Sequence, residues 1–314
     1  MAKQFFGGQA VIEGVMMKGP KHWSLAIRTP DGNIVNVDER FNSIGDRWSI
    51  FKMPLFRGIV VLIETLILGI KTLSLSANLS LGEEEEDITP KQMAGTLALA
   101  FVFVVGLFMV LPLLITKYLT TAAASIADNR SLFALIEGMF RISIFLLYIL
   151  AVSRVRDIQR VFQYHGAEHK AIHTFEAGEE LTPSNAAKYS TLHIRCGTAF
   201  MLIVMVVAIL SFQFLPTGNI LARLAGKLLL LPVVAGISYE ATRIAARYEN
   251  SPITKILMWP GLMLQKLTTR EPDESQLEVA LYALSSVLQA EGVTDAVQEK
   301  QEKMGEPVNG FSSP

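Results

Sequence analysis

The chain has 314 residues, of which 51% are hydrophobic and only 18% charged, and its mean hydropathy is +0.37. That composition excludes an ordinary soluble two-domain protein and points to an integral membrane protein. A net charge of −1 offers no global field for nucleic acid, so no nucleic-acid partner is expected, and a single cysteine, Cys196, excludes an internal disulfide framework.

Residues 1–9 contain no apolar run followed by a small-residue cleavage site, so no removable signal peptide is expected. The stretch Gly7-Gly8-Gln9-Ala10-Val11-Ile12-Glu13-Gly14-Val15-Met16-Met17 combines glycines that permit close backbone approach with Gln9 and Glu13, which would share one side of a short helix. It reads either as a folded lid over the cytoplasmic face or as a way to bring Gln9 or Glu13 into a site. Residues 23–28 and 34–40 are strand-like runs around Thr29-Pro30-Asp31-Gly32-Asn33 and predict a small β-hairpin. Residues 58–75 are apolar but carry Glu64 and Lys71 on one helical face, which predicts an interfacial or re-entrant segment. The acidic run 83–87 reads as a solvated linker before Thr89-Pro90, a helix-start signal.

Four segments, 93–115, 132–152, 197–215 and 220–238, approach the ~20 apolar residues that a bilayer span needs. If 58–75 does not cross, the basic N-terminal segment, the loop with Arg154, Arg156, Arg160, Lys170, Lys188 and Arg195, and the C-terminal segment all fall on the cytoplasmic side. Within the spans, Glu137 and Arg141 are four apart and are expected to pair, while Arg223 and Lys227 are expected to reach for the outer interface. Residues 253–267, around Trp259-Pro260-Gly261, predict an interfacial broken helix, followed by a soluble helix to about residue 290. The predicted organisation is an N-terminal cytoplasmic segment (1–56), an interfacial helix and linker (57–92), two spans (93–153), a cytoplasmic histidine-rich loop (154–195), two further spans (196–240), an interfacial and a cytoplasmic helix (241–291), and a disordered tail (292–314). The fold class is thus an all-α polytopic protein of the bacterial cytoplasmic membrane with a small N-terminal β-hairpin and both termini inside.

Four of the five histidines lie between His165 and His193. In His165-Gly166-Ala167-Glu168-His169 the two imidazoles face the same way on a helix, and Glu168 lies beside them. The string matches the inverted zinc-protease spacing, in which the glutamate serves as general base. His173 is eight residues from His165, about 12 Å along a helix axis, so His165, His169 and His173 cannot share one ion. A second cluster, His193-Ile194-Arg195-Cys196, adds an imidazole and a thiol. Two pairs brought together by the intervening loop would give a tetrahedral shell of His165, His169, His193 and Cys196 for Zn²⁺ or another divalent metal. A closed shell would be structural. If Cys196 stays out, a catalytic site with Glu168 or Glu240 as base becomes available. The plain alternative is that these histidines cap helix ends, that Cys196 simply packs and that Glu240 pairs with a nearby arginine. No nucleophile-elbow, phosphate-loop or dinucleotide string is present.

The segments GGQAVIEGVMM (7–17), YHGAEHK (164–170), LHIRCG (192–197) and Glu271-Pro272-Asp273, in this order, resemble the YqhQ-like family of uncharacterised bacterial membrane proteins, commonly described as predicted metal-dependent enzymes. The resemblance runs to about residue 291. It puts weight on His165, Glu168, His169, His193, Arg195 and Cys196, together with Gly7, Gly8, Gln9 and Glu13, and leaves His173 outside the pattern. The leading expectation is a metal-binding membrane protein, in its catalytic form a zinc hydrolase at the inner membrane surface. The rival is a non-enzymatic scaffold or assembly factor that grips other membrane proteins or the insertion machinery, and a transporter subunit is third.

Overall fold

The computed structural model describes residues 6–81, 88–122, 128–248 and 251–293, so the acidic run 83–87 and the tail beyond 293 lie outside the described residues. Four strands open the chain as an antiparallel meander: β1 (Gly7–Val11), β2 (Gly14–Lys18), β3 (His22–Arg28) and β4 (Ile34–Arg40). The expected hairpin is β3–β4, with Arg28 opposite Ile34. The expected short helix through Gln9 and Glu13 is instead a second hairpin, with Val11 opposite Gly14. Its strands escape a sequence reading because both faces of the sheet are covered. β2 is therefore apolar at consecutive positions instead of alternating, and the glycines of β1 carry no strand signal.

Helix α1 (Phe56–Leu79) covers one face of this sheet, where Leu68, Leu75 and Leu79 pack on Val11, Met16, Trp23, Leu25 and Ile27. Glu64 and Lys71, the two charges within its apolar stretch, are both engaged on the sheet side. Glu64 accepts from the Ser43 hydroxyl at 2.8 Å and the Ile44 amide at 2.5 Å, and Lys71 pairs with Glu39 at 2.5 Å. The segment is one continuous helix, not a re-entrant turn, because its polar groups find partners without a break. On its outer side Leu62, Ile63, Leu66 and Ile67 are exposed.

There follow α2 (Pro90–Val105), a π-helical turn (Gly106–Val110), α3 (Leu111–Ala122), α4 (Arg130–Val152), α5 (Arg156–Ala177), the single turn α6 (Pro183–Ala186), α7 (Gly197–Phe212), α8 (Ile220–Arg247), α9 (Pro252–Thr268) and α10 (Glu274–Ala290). The second face of the sheet packs Val15, Met17 and Ala26 against Tyr164, Ala167 and Ala171 of α5 and Leu277, Leu281 and Leu284 of α10. α10 starts where expected, on an Asp273 cap with Gln276 bonding back. α9 is not broken at Pro260. A proline removes one bond of the ladder, and the helix stays continuous where Gly261 seats directly on Ala199 of α7.

Among the described residues, four helical stretches are long and apolar enough to cross a membrane: Phe56–Leu79, Lys91–Thr121, Arg130–Val152 and Ile220–Arg247. The number agrees with the sequence reading and the membership does not. The 56–79 helix qualifies, whereas α7 has 16 residues, about 24 Å at 1.5 Å per residue. Arg223 and Lys227 correct another expectation. Neither extends outward along the helix, and both are wholly buried against Glu137. Glu137 accepts from Arg141 Nη2 and Arg223 Nε at 2.9 Å each, and from Lys227 Nζ. Further donors go to carbonyls, while Arg223 Nη2 lies 2.9 Å from Glu137 Oε2 without a hydrogen-bonding geometry. Arg141 Nε bonds Phe108 O at 2.9 Å, Lys227 Nζ bonds Met109 O at 3.4 Å, and Arg223 Nη1 bonds Leu215 O at 3.1 Å. Phe108 and Met109 belong to the π turn, whose wider winding leaves carbonyls open to side chains. A carboxylate and these carbonyls satisfy the cations inside the helix packing, so their side chains have no need to snorkel.

Removing the Glu137 carboxylate leaves three buried cations around an apolar side chain. Glu137→Ala is expected to lower stability by roughly 3–5 kcal/mol, whereas Glu39→Ala, which breaks an exposed pair, should change it by about 1 kcal/mol or less. Thermal unfolding of the two variants in the same detergent distinguishes them, and equally small shifts would show that the buried cluster does not support the bundle.

Candidate functional site

α5 carries His165, Glu168, His169 and His173, and α7 begins at Cys196, which caps it. Two further segments cross over α5 and decide how its imidazoles point. From the 187–196 connection, Thr191 O accepts from His169 Nδ1 at 2.5 Å. From the end of α9, Thr268 O accepts from His165 Nδ1 at 2.8 Å. A carbonyl can only accept, so Nδ1 carries the proton in both rings and Nε2 presents its lone pair. His165 Nε2 lies 3.2 Å from Cys196 Sγ, and the donor atoms of His165, His169 and Cys196 all fall within 4.8 Å of one another.

Gly166 makes this crossing feasible. Any Cβ there would overlap the carbonyl oxygen of Arg270, just beyond Thr268. The Arg270 amide in turn bonds Phe162 O at 2.9 Å. The opposite segment is clamped by Gln265, wholly buried, whose side-chain amide accepts from His193 N and donates to His193 O, both at 2.9 Å.

The other two imidazoles form a second group with Glu176. His173 Nε2 donates to Leu192 O at 3.0 Å, and its ring centroid is 4.6 Å from that of His193. His193 Nδ1 accepts from the Arg195 amide at 3.3 Å, which leaves the Nε2 proton directed at Glu176, 3.6 Å away. His193 is thus beside the first trio, 5.6 Å from the His169 ring, with its lone pair already taken. Burial alone would raise the Glu176 carboxyl, but His193 and Arg195 together hold it down to about 2.

Burial lowers both His169 and His193 below the ordinary imidazole range, so both rings are neutral at pH 7. Burial also pushes the Glu168 carboxyl above the usual carboxylate range, against the opposing pull of His165 and of the Gly8 amide. A cavity of about 400 Å³ opens onto these groups, and its lining includes Gly8, Gln9, His165, Glu168, His169, His193, Arg195 and Cys196. β1 forms one wall of it. A Cβ on Gly8 would lie 2.6 Å from Met16 O and 3.0 Å from the Glu168 side chain, and Gln9 folds onto Gly69 of α1.

Two residues proposed from sequence lie elsewhere. Glu13 sits at the β1–β2 turn and is held by Arg160 and by the Tyr164 hydroxyl at 3.3 Å. Glu240 is gripped in bidentate fashion by Arg57, with Nε to Oε1 at 2.7 Å, in a separate cleft. Its carboxylate thus pairs with an arginine, the plain alternative, and the partner is Arg57 at the start of the predicted interfacial helix. Sequence reasoning also missed Gln265, Thr268 and Glu176. Gln265, a polar residue within an apolar helix, was a usable signal, and so was the His173–Glu176 spacing of three. Thr268 acts through its backbone, which leaves no trace in residue type.

The family whose description is "Protein of unknown function (DUF1385)" matches residues 53–290. The uncharacterized protein YqhQ of Bacillus subtilis (strain 168) is 34% identical over 305 residues, covering 94% of this chain and 95% of its own. The chain therefore belongs to the YqhQ-like, DUF1385 family. No solved structure matches it.

The close approach of β1 to Glu168 can be tested directly. Gly8→Ala is expected to destabilise by roughly 1–3 kcal/mol through overpacking, while Gly7→Ala, whose Cβ would meet nothing within 4 Å, should stay within about 0.5 kcal/mol of wild type. Paired denaturation curves check this, and indistinguishable curves would mean that β1 does not press on the cavity.

Proposed function

Starting from membership of that family, we propose that the protein is a metal-dependent hydrolase of the cytoplasmic membrane, with His165, His169 and Cys196 as ligands of a zinc-class divalent ion and Glu168 as the acid–base group. The observation that carries this reading is the pair of Nδ1–carbonyl bonds. Metal-bound histidines characteristically donate their second ring nitrogen to a carbonyl or carboxylate, which fixes the tautomer and orients the ring. Two imidazoles and one thiolate suit zinc, and a shell of three protein ligands on a cavity wall leaves a fourth position for water or substrate. An ion held there would polarise a bound water and a substrate oxygen. Glu168 borders the same cavity, and its proton affinity, raised by burial, suits a group that takes and returns a proton. His193, expected as a ligand, serves in this reading to position the 191–196 segment, with Glu176 as its partner.

In this proposal the sheet, α5 and α10 lie in the cytoplasm. α2–α3, α4, α7 and α8 cross the bilayer, and α1 and α9 lie along its inner surface. α1 supports that seating through its two unlike sides, one packed on the sheet and one exposing Leu62, Ile63, Leu66 and Ile67. The competing reading, a scaffold or assembly factor for other membrane proteins, is favoured by the outward apolar side chains Ile253, Ile256, Leu257 and Trp259 of α9.

Protein purified without chelator should carry about one zinc-class ion per chain by elemental analysis. His169→Ala and Cys196→Ser should each fall below roughly a tenth of that occupancy, while His173→Ala should keep it. Folded wild-type protein free of metal would end the hydrolase reading and leave the scaffold ahead. For topology, a Glu180→Cys probe in a Cys196→Ala background should react with a membrane-impermeant maleimide only after the membrane is opened, and labelling of intact cells would overturn the proposed orientation.

A further inference from the structure

Beside the histidine cavity lies a second cleft of about 790 Å³, lined by Arg57, Arg195, Tyr239, Glu240, Arg243, Ile244, Ala246 and Arg247. Four arginines face one carboxylate. They come from three separate parts of the chain: the start of α1, the connection before α7, and the last turns of α8. Arg57 is engaged by Glu240, and Arg195 pairs with Glu176. Arg243 and Arg247, four residues apart on one side of α8, are exposed and stand in no ion pair among the described residues. Arg195 lines both this cleft and the histidine cavity.

We propose that this cleft holds the phosphate of an anionic glycerophospholipid. Guanidinium groups converging from several elements present parallel donors to phosphate oxygens, a geometry a lysine-rich surface lacks. The ligand is taken to be a lipid because the cleft closes the end of α8, one of the helices long and apolar enough to span. Ile244, 60% exposed at the cleft wall, supplies an apolar flank beside the charges. Arginines at the cytoplasmic end of a span also occur simply to set orientation and complement the helix dipole. That account covers Arg243 and Arg247 alone, whereas the Glu240 and Glu176 pairs bring Arg57 and Arg195 to the same concavity and so put two further guanidinium groups on its wall. Binding in the cleft does not depend on the metal centre. That the bound lipid is also the substrate rests on the hydrolase reading, with Arg195 as the boundary between head-group and reaction cavities.

The test is native mass spectrometry of the full chain in detergent, titrated with phosphatidylglycerol or phosphatidylcholine. Phosphatidylglycerol should bind at least about tenfold more tightly, and Arg243→Gln/Arg247→Gln should weaken it by about tenfold. Arg154→Gln/Arg156→Gln, which removes the same charge from exposed residues at the start of α5, should change it less than about twofold. Glu240→Gln removes the one carboxylate of the cleft and should strengthen binding, a gain that misfolding cannot imitate. Equal losses in the two arginine pairs, no preference for the anionic lipid, or displacement of the lipid by millimolar inorganic phosphate would each overturn the proposal. His169→Ala/Cys196→Ser should bind the lipid as wild type does, so that a failed metal centre and a failed lipid site give different results.

Discussion

Two backbone carbonyls, those of Thr191 and Thr268, determine what the histidines of α5 can do. Each takes the Nδ1 proton of one ring and so turns the Nε2 lone pairs of His165 and His169 towards Cys196. Without those acceptors the two imidazoles would be free to rotate or exchange tautomers, and the juxtaposition with the thiol would have no defined chemistry. The carbonyls are fixed from outside the site. Thr268 ends a helix that packs through Gly261 and Leu264 on α7 and α4, and the segment bearing Thr191 is tied down by the Gln265 clamp on His193. The geometry of the cavity therefore depends on how the apolar helices pack.

The tautomer logic also separates two clusters that look alike by residue type. His165, His169 and Cys196 turn their donor atoms towards one another, whereas His193 spends its lone pair on the Arg195 amide and its proton on Glu176. One trio is suited to coordination, and the other is an internally satisfied ion-pair network that holds the crossing segment. Proximity alone would have assigned all four rings to one function.

How much of this was legible beforehand follows from what residue types encode. The i, i+4 histidines and the recurrence of His193 and Cys196 after a loop could be read because ligand chemistry is written in side chains, and the two stretches do meet. The β3–β4 hairpin could be read because Pro30, Gly32 and Asn33 mark its turn. β1 and β2 could not, since a strand covered on both faces loses its period of two. α1 was ambiguous for a related reason. Its charges at Glu64 and Lys71 meet partners in the sheet side of the fold, and no local pattern reveals partners that are distant in sequence. That Glu240 pairs with an arginine was among the readings, but which arginine was not, because Arg57 is 183 residues away.

The arrangement around Glu137 bears on how the chain can be made. Its carboxylate and Arg141 are carried by α4, and Arg223 and Lys227 by α8, with about eighty residues between them. Placed separately in lipid, α4 would keep its Glu137–Arg141 pair, whereas α8 would carry two uncompensated cations at roughly 3 kcal/mol each. It is therefore the later helix that depends on its partner, because the Glu137 carboxylate is already presented by the earlier one. Docking of α8 on α4 and neutralisation of its two cations are then a single step for this part of the molecule.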